Sequence, residues 1–210
     1  KIYLANNKGL FSYKNDILRN INSFLIPSFN NKEHLQNTIS QYENNITIGK
    51  KIFGPISLWD VSNVTDMSNL FFDSKTFNQP INDWDVSNVN NMKSMFEDAI
   101  LFNQSLDTWN VFNVTDMEYM FFGARIFNQP IGYWNVSNVT DMKSMFEDAS
   151  SFNQSLNNWI VSNVTDMSYM FSNAKNFNQS IGDWDVSNVT NMLLLFRNTI
   201  KLDQPLNNWD

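Results

Sequence analysis

All seven tryptophans fall at 59, 84, 109, 134, 159, 184 and 209, a spacing of 25 residues with no insertion. A fixed period of this size marks a repeat array, in which each unit buries its apolar side only by stacking on its neighbours. Six full copies run from Trp59 to Asn208. Offsets below are counted from the Trp of each copy as zero.

The columns within a copy separate by chemistry. Val recurs at +2 and +5, Met at +8, Met or Leu at +11, Phe at +12 and mostly Ala at +15. At 100° per residue, the set from +5 to +15 falls within a stripe of about 120°, which predicts one short amphipathic helix per copy. Asn at +4 (Asn63, Asn88, Asn138) suits an N-cap, and Asp or Asn three residues on (Asp66, Asn91, Asp141) resembles a capping box. These Met and Phe columns lie on the stripe that has to be buried, so they are core rather than a ligand box.

After the predicted helix the period changes to two. In Phe127-Asn-Gln-Pro-Ile131, Phe127, Gln129 and Ile131 share one face of a short strand. Copies in one register would pair as a parallel sheet, and the Gln column (Gln79, Gln104, Gln129, Gln154, Gln179, Gln204) would form an amide ladder. The expected fold is α/β: a solenoid of six 25-residue coils, each a short helix plus a short strand in a parallel sheet. Residues 1–58 lack the repeat columns and are expected to form a mostly helical N-terminal cap, with 34–45 as a helix and 59–210 as the array. A helix and a strand are expected within residues 1–31.

The pattern W-x-V-S-N-V-x-x-M-x-x-M-F-x-x-A-x-x-F-N-Q-x-I/L resembles the BspA-type leucine-rich repeats. The likeness is to the 25-residue kind found in mycoplasma lipoproteins of unknown function, with similar repeats in bacterial surface proteins, protists and large DNA viruses. It covers Trp59–Asp210. The resemblance implies a leucine-rich-repeat-like fold and a cell-surface or secreted interaction role, with virion or intracellular settings also represented. It brings no catalytic residues. The mycoplasma members carry a lipid-modified Cys near their start, whereas this chain has no Cys.

Charge narrows the partners. Through residue 58 there are seven basic residues against three acidic ones, a net of +4, so the remainder carries −11 of the total of −7. An acidic array is a poor footprint for nucleic acid or an anionic membrane. No apolar run reaches membrane length, which argues against membrane insertion. The chain opens on Lys1, so the lack of a visible leader is uninformative.

Catalysis has little material. His34 is the single His, so a Ser–His or Cys–His system is not expected, and neither a cofactor nor a metal site is. Asp66, Asp116, Asp141 and Asp166 recur as a column rather than converging on a pocket. Asn63, Asn113, Asn138, Asn163 and Asn188 begin N-V-T sequons, readable as glycan acceptors or as caps.

Function is expected in what varies. Copies two and four are near twins, and position +10 carries Tyr119 and Tyr169 with Ser94 and Ser144 in the copies between. Tyr119, Tyr169, Tyr133, Phe112 and Phe122 are the candidate exposed aromatics for binding a protein or glycan. The last copy is atypical: Leu193, Leu194 and Leu202 replace polar or aromatic residues, and no polar cap follows. That end is expected to meet another chain, an end-to-end homodimer being the concrete case, or to continue into further sequence. Two readings follow. One is a non-catalytic binding or adhesion module; the other is an assembly component of a virion or surface layer.

Overall fold

A computed structural model describes residues 26–209. Two helices precede the array: α1 (Lys32–Asn44) and α2 (Ile46–Phe53). Asn31 caps α1 by accepting from the His34 N–H, and Asn45 caps α2 by accepting from the Ile48 N–H. α1 buries Leu35, Thr38, Ile39 and Tyr42, an i, i+3, i+4, i+7 stripe. α2 approaches closely because Gly49 faces Tyr42, where a Cβ would stand 2.8 Å from the ring. A 3-10 turn, Ile56–Leu58, leads from α2 into the first coil. The helix and strand expected within residues 1–31 fall largely outside the described residues. Of that stretch, Ser28 forms a parallel bridge to Asp60.

From Trp59 onward the chain winds as a stack of 25-residue coils, but not as predicted. Among the described residues, the coils contain no helix and no strand. Parallel pairing survives only as isolated bridges joining Asp66, Asn91, Asp116, Asp141, Asp166 and Asn191 in succession. The α/β solenoid with a helix, a strand and a parallel sheet is therefore corrected to a stack of coils built from turns.

The hydrogen bonds give the reason. In the first coil the N–H of Leu70 donates to Met67 O, Phe72 to Asn69 O and Ser74 to Phe71 O, three overlapping i→i+3 turns. The intervening N–H groups point the other way, out of the coil. Met67, Asn69, Phe71 and Asp73 donate to Asn91, Lys93, Met95 and Glu97 of the next coil at 2.8–2.9 Å. Alternate amides thus close turns and join coils, which no α-helix permits.

Backbone sign completes the argument. Positions +10 and +14 take positive φ in every coil, from Asn69 (56°) and Asp73 (58°) to Leu194 (53°) and Asn198 (57°), with Gly123 at 66°. A left-handed residue every four positions ends any helix, and it is what a type II turn demands at its third residue. Further turns close at Val61–Val64, Ser74–Phe77 and Ile81–Trp84. The apolar columns +2/+5, +8/+11, +12/+15, +15/+18 and +22/Trp are the first and last residues of such turns, and nearly all are buried in the interior coils. The three-residue spacing that mimicked a helix comes from turns whose two ends both face inward.

Two other expectations change. The Gln column is half-exposed, not buried, and does not bond Gln to Gln. Gln104, Gln129, Gln154, Gln179 and Gln204 each donate to an Asn Oδ1 of the coil before, at 2.9–3.1 Å. Asn at +4 caps nothing. Its Nδ2 reaches back one coil, as from Asn113 to Ser87 O (2.6 Å) and from Asn138 to Phe112 O (2.8 Å). Asp or Asn at +7 accepts from the N–H two residues on, an Asx turn, in all six coils.

The Trp columns staple the stack. Each indole Nε1 from Trp84 to Trp209 donates 28 residues back, for example Trp134 to Leu106 O at 3.0 Å. Equivalent Phe rings at +12 stack at 5.3–6.0 Å, those at +18 at 5.9–6.1 Å, and recorded Trp pairs at 6.3–6.5 Å. Backbones joined by parallel hydrogen bonds lie about 4.8 Å apart. The coils therefore fan open toward the Trp side, and the hydrogen-bonded rows line the inner side of an arc.

Candidate interaction face

That inner side displays the variable columns. The turn from +10 to +13 and the neighbouring +9 carry them: Tyr119, Phe122, Tyr169, Lys93 and Lys143 reach the surface, whereas the small residues of the same columns, Ser68, Ser94, Ser144, Ser168 and Ser172, are buried. Across coils one to six, +9 reads Ser68, Lys93, Glu118, Lys143, Ser168, Leu193 and +10 reads Asn69, Ser94, Tyr119, Ser144, Tyr169, Leu194. Inter-coil hydrogen bonds hold this backbone on both sides of each interior coil, so the side chains sit on a rigid base.

At the centre lies Glu118, only 9% exposed. Lys93 from the coil before and Lys143 from the coil after both pair with it, the latter from Nζ to Oε1 at 3.0 Å. Burial by itself would raise the Glu118 carboxyl, but hydrogen bonds from Lys93 and Lys143 outweigh it and hold the pKa below its ordinary value. Lys143 is raised by its contact with Tyr119 first and Glu118 second. Its Nζ stands over the Tyr119 ring, 5.1 Å from the centroid, and Tyr119 meets Phe122 edge-on at 5.8 Å. Beside this cluster runs the Asp column at +7. Asp141 is raised mainly by burial, opposed by the Lys143 N–H and reinforced by Glu118, Asp116 and Asp166.

Tyr119 and Tyr169 are half-buried and adopt φ of 56° and 58°. A bulky residue in the left-handed region is an outlier, costing on the order of 1 kcal/mol, and such strain gathers at functional positions. Tyr119, Phe122 and Tyr169 thus belong to one face. Phe112, 45% exposed, and Tyr133, 84% exposed, do not. They sit in the turns at +3 and +24, flanking the Trp column on the opposite side. Leu193 and Leu194 are exposed and Leu202 half-buried, all in the sixth coil. Glu118 was missed as a site residue; the available signal was opposite charge at one offset in consecutive copies.

Among the described residues, no group of three or more His, Cys, Asp or Glu side chains is placed to hold a metal ion. His34 is exposed on α1, with its ring against Phe29 at 5.0 Å. No helix of the described residues is long and apolar enough to cross a membrane.

The model of a family described as a Mycoplasma protein of unknown function, DUF285, matches the chain over three overlapping stretches, residues 5–131, 43–159 and 123–210. No curated protein and no solved structure matches it.

Proposed function

The chain belongs to the DUF285 family, a repeat family of unknown function, and from its geometry we propose that it is a non-catalytic binding module that recognises a protein or glycan on the inner face of its arc. One observation carries this reading: the columns that vary between otherwise similar coils, +9, +10 and +13, share a face whose backbone is fixed by hydrogen bonds in both directions. A surface ordered beforehand loses little entropy on binding. Tyr119, Tyr169 and Phe122 supply the aromatic contact area typical of interface centres, and Lys93 and Lys143 supply cations within an acidic array. The likeness to BspA-type surface repeats supports placing that role outside the cell.

The test uses residues the column already tolerates. Tyr119→Ser with Tyr169→Ser matches Ser94 and Ser144 and preserves the stack. Binding of the chain and this variant to purified extracellular proteins and to a glycan panel is measured by interferometry. A ligand held by the native chain and weakened about tenfold or more in the variant supports the reading. Equal binding by both, or no ligand for either, overturns it.

A second reading, an assembly component, is favoured by a separate observation: the outer face of the sixth coil carries exposed Leu193, Leu194 and Ile200.

A further inference from the structure

Ten N-x-S/T sequons stand in the sequence, and nine of them have the Asn carboxamide tied to backbone. Asn113, Asn138, Asn163 and Asn188 donate from Nδ2 to a carbonyl of the coil before, at 2.6–2.8 Å. Asn103, Asn153 and Asn178 accept on Oδ1 an N–H of the coil after, at 2.8–2.9 Å. Asn45 caps α2, so its tripeptide runs into the first helical turn, and Asn135 accepts from the Ser137 N–H at 3.1 Å. Asn63 is the exception. Its Nδ2 reaches Asn30 Oδ1 at 3.2 Å, a bond between two exposed side chains.

The contrast extends to the Thr of each N-V-T. Thr115, Thr140, Thr165 and Thr190 each send the N–H (2.9 Å) and the Oγ1 hydroxyl (3.1–3.3 Å) to a carbonyl of the coil before. Thr65 makes neither bond among the described residues. Position in the stack is the cause. Residues 27–31 stand before the first coil where a whole coil stands before the others. Pro27 and Phe29 pair with Asp60 at 2.8–3.0 Å, and the chain then turns into α1 at Lys32. The backbone acceptor that Asn88 finds at Ser62 O (2.8 Å) therefore has only the Asn30 side chain as its counterpart at Asn63.

We propose that Asn63 is the site at which the folded chain accepts an N-linked glycan. The donor class is an oligosaccharide activated as a polyprenyl pyrophosphate. The bond from Nδ2 to the sugar C1 forms, the C1–O bond to the pyrophosphate breaks, and one Nδ2 proton passes to a base of the transferase. For this the tripeptide has to leave its hydrogen bonds and enter the enzyme. At Asn113, Asn138, Asn163 and Asn188 three bonds to the coil before must open together, which lowers the open population about a hundredfold. Asn63 and Thr65 are both exposed and give up a single side-chain bond. The assignment does not depend on what the inner face binds.

The folded full chain is incubated with a purified oligosaccharyltransferase and the polyprenyl-pyrophosphate donor, and occupancy is read site by site by mass spectrometry. A tryptic digest of the chain is the unfolded reference, and the transferase is one that modifies the N-V-T peptides of that digest. The expected result is modification of Asn63 in the folded chain, with every other sequon at least about tenfold lower, and similar occupancy of all the N-V-T sites in the digest. Asn63 left bare in the folded chain, or any other sequon filled to its level, overturns the assignment. Thermal unfolding tests the contrast beneath it. Asn138→Ala should lower Tm by about 2–4 °C and Asn63→Ala by about 1 °C or less; equal losses overturn the claim that Asn63 is held apart from the stack.

Discussion

The two ends of the stack carry nearly the same coil and meet different fates. At the first coil, α1 lies along the carbonyl side of the rows and buries Leu35, Ile39 and Tyr42, while Trp59 packs against Phe29, Tyr42 and Phe53 at 5.3–6.2 Å. At the sixth coil the amides of Met192, Leu194, Phe196 and Asn198 meet no acceptor among the described residues, and Leu194, in the column of half-buried Tyr119 and Tyr169, is 43% exposed. A coil is therefore only half of an interior. At the first coil α1 completes it by apolar packing, with Lys32 donating to Ser68 Oγ and Gln36 Nε2 to the turn carbonyl of Asn69.

The largest effect that tests this contrast is a deletion in the Phe column. Phe121→Ala should cost about 3–5 kcal/mol in chemical denaturation, since ring contacts above and below are both lost. Phe196→Ala should cost less than half as much. Leu35→Ala, under the cap, should cost about 2–4 kcal/mol. Equal costs at Phe121 and Phe196 would break the comparison.

Next comes Gly123. Its φ of 66° is left-handed, and a Cβ there would run into the Asp98 carboxylate of the coil before. Gly123→Ala should destabilise by about 1–3 kcal/mol. Asp98→Ala made together with it should recover part of that loss, as measured by a double-mutant cycle.

The smallest effect is electrostatic, and it sharpens the comparison because only a middle coil has neighbours on both sides. Glu118→Gln should lower stability by about 1 kcal/mol at neutral pH. The folded carboxyl has its pKa below the ordinary 4.5, so its contribution is complete above about 4.5 and is lost as the pH falls through the lower folded value. The two proteins should therefore converge once the pH lies below that folded value. A gap that persists in acid would mean that Glu118 acts through packing. Asp141, shifted upward mainly by burial and in part by Glu118, contributes in the opposite direction, and the substitution removes only the Glu118 part.

How far the residues could be read varies with the column. Val64, Met67, Phe71 and Phe77 announced themselves as core because burial follows apolar character at a fixed repeat. Their local conformation was misread because an inward pair three residues apart fits a helix and a β-turn equally well. The distinguishing signal lay at +14, where Asp73, Asp98, Gly123, Asp148, Asn173 and Asn198 are all residues that tolerate positive φ. Tyr119 and Tyr169 hid the same requirement at +10. For the candidate face, Tyr119, Phe122 and Tyr169 were legible as variation, whereas their separation from Phe112 and Tyr133 depended on where each turn lies around the coil.

Sequence alone determined the period and the buried columns, since each is a property of residue type at a fixed spacing. Tertiary structure decided that the amides alternate between closing turns and joining coils, that Asn reaches backward while the rows run forward, and that the hydrogen-bonded side is the inner one. These depend on which donor finds which acceptor 24 to 28 residues away. A local pattern cannot encode that choice, because the competing turn and helix satisfy the same side chains and differ only in where the backbone hydrogen bonds go.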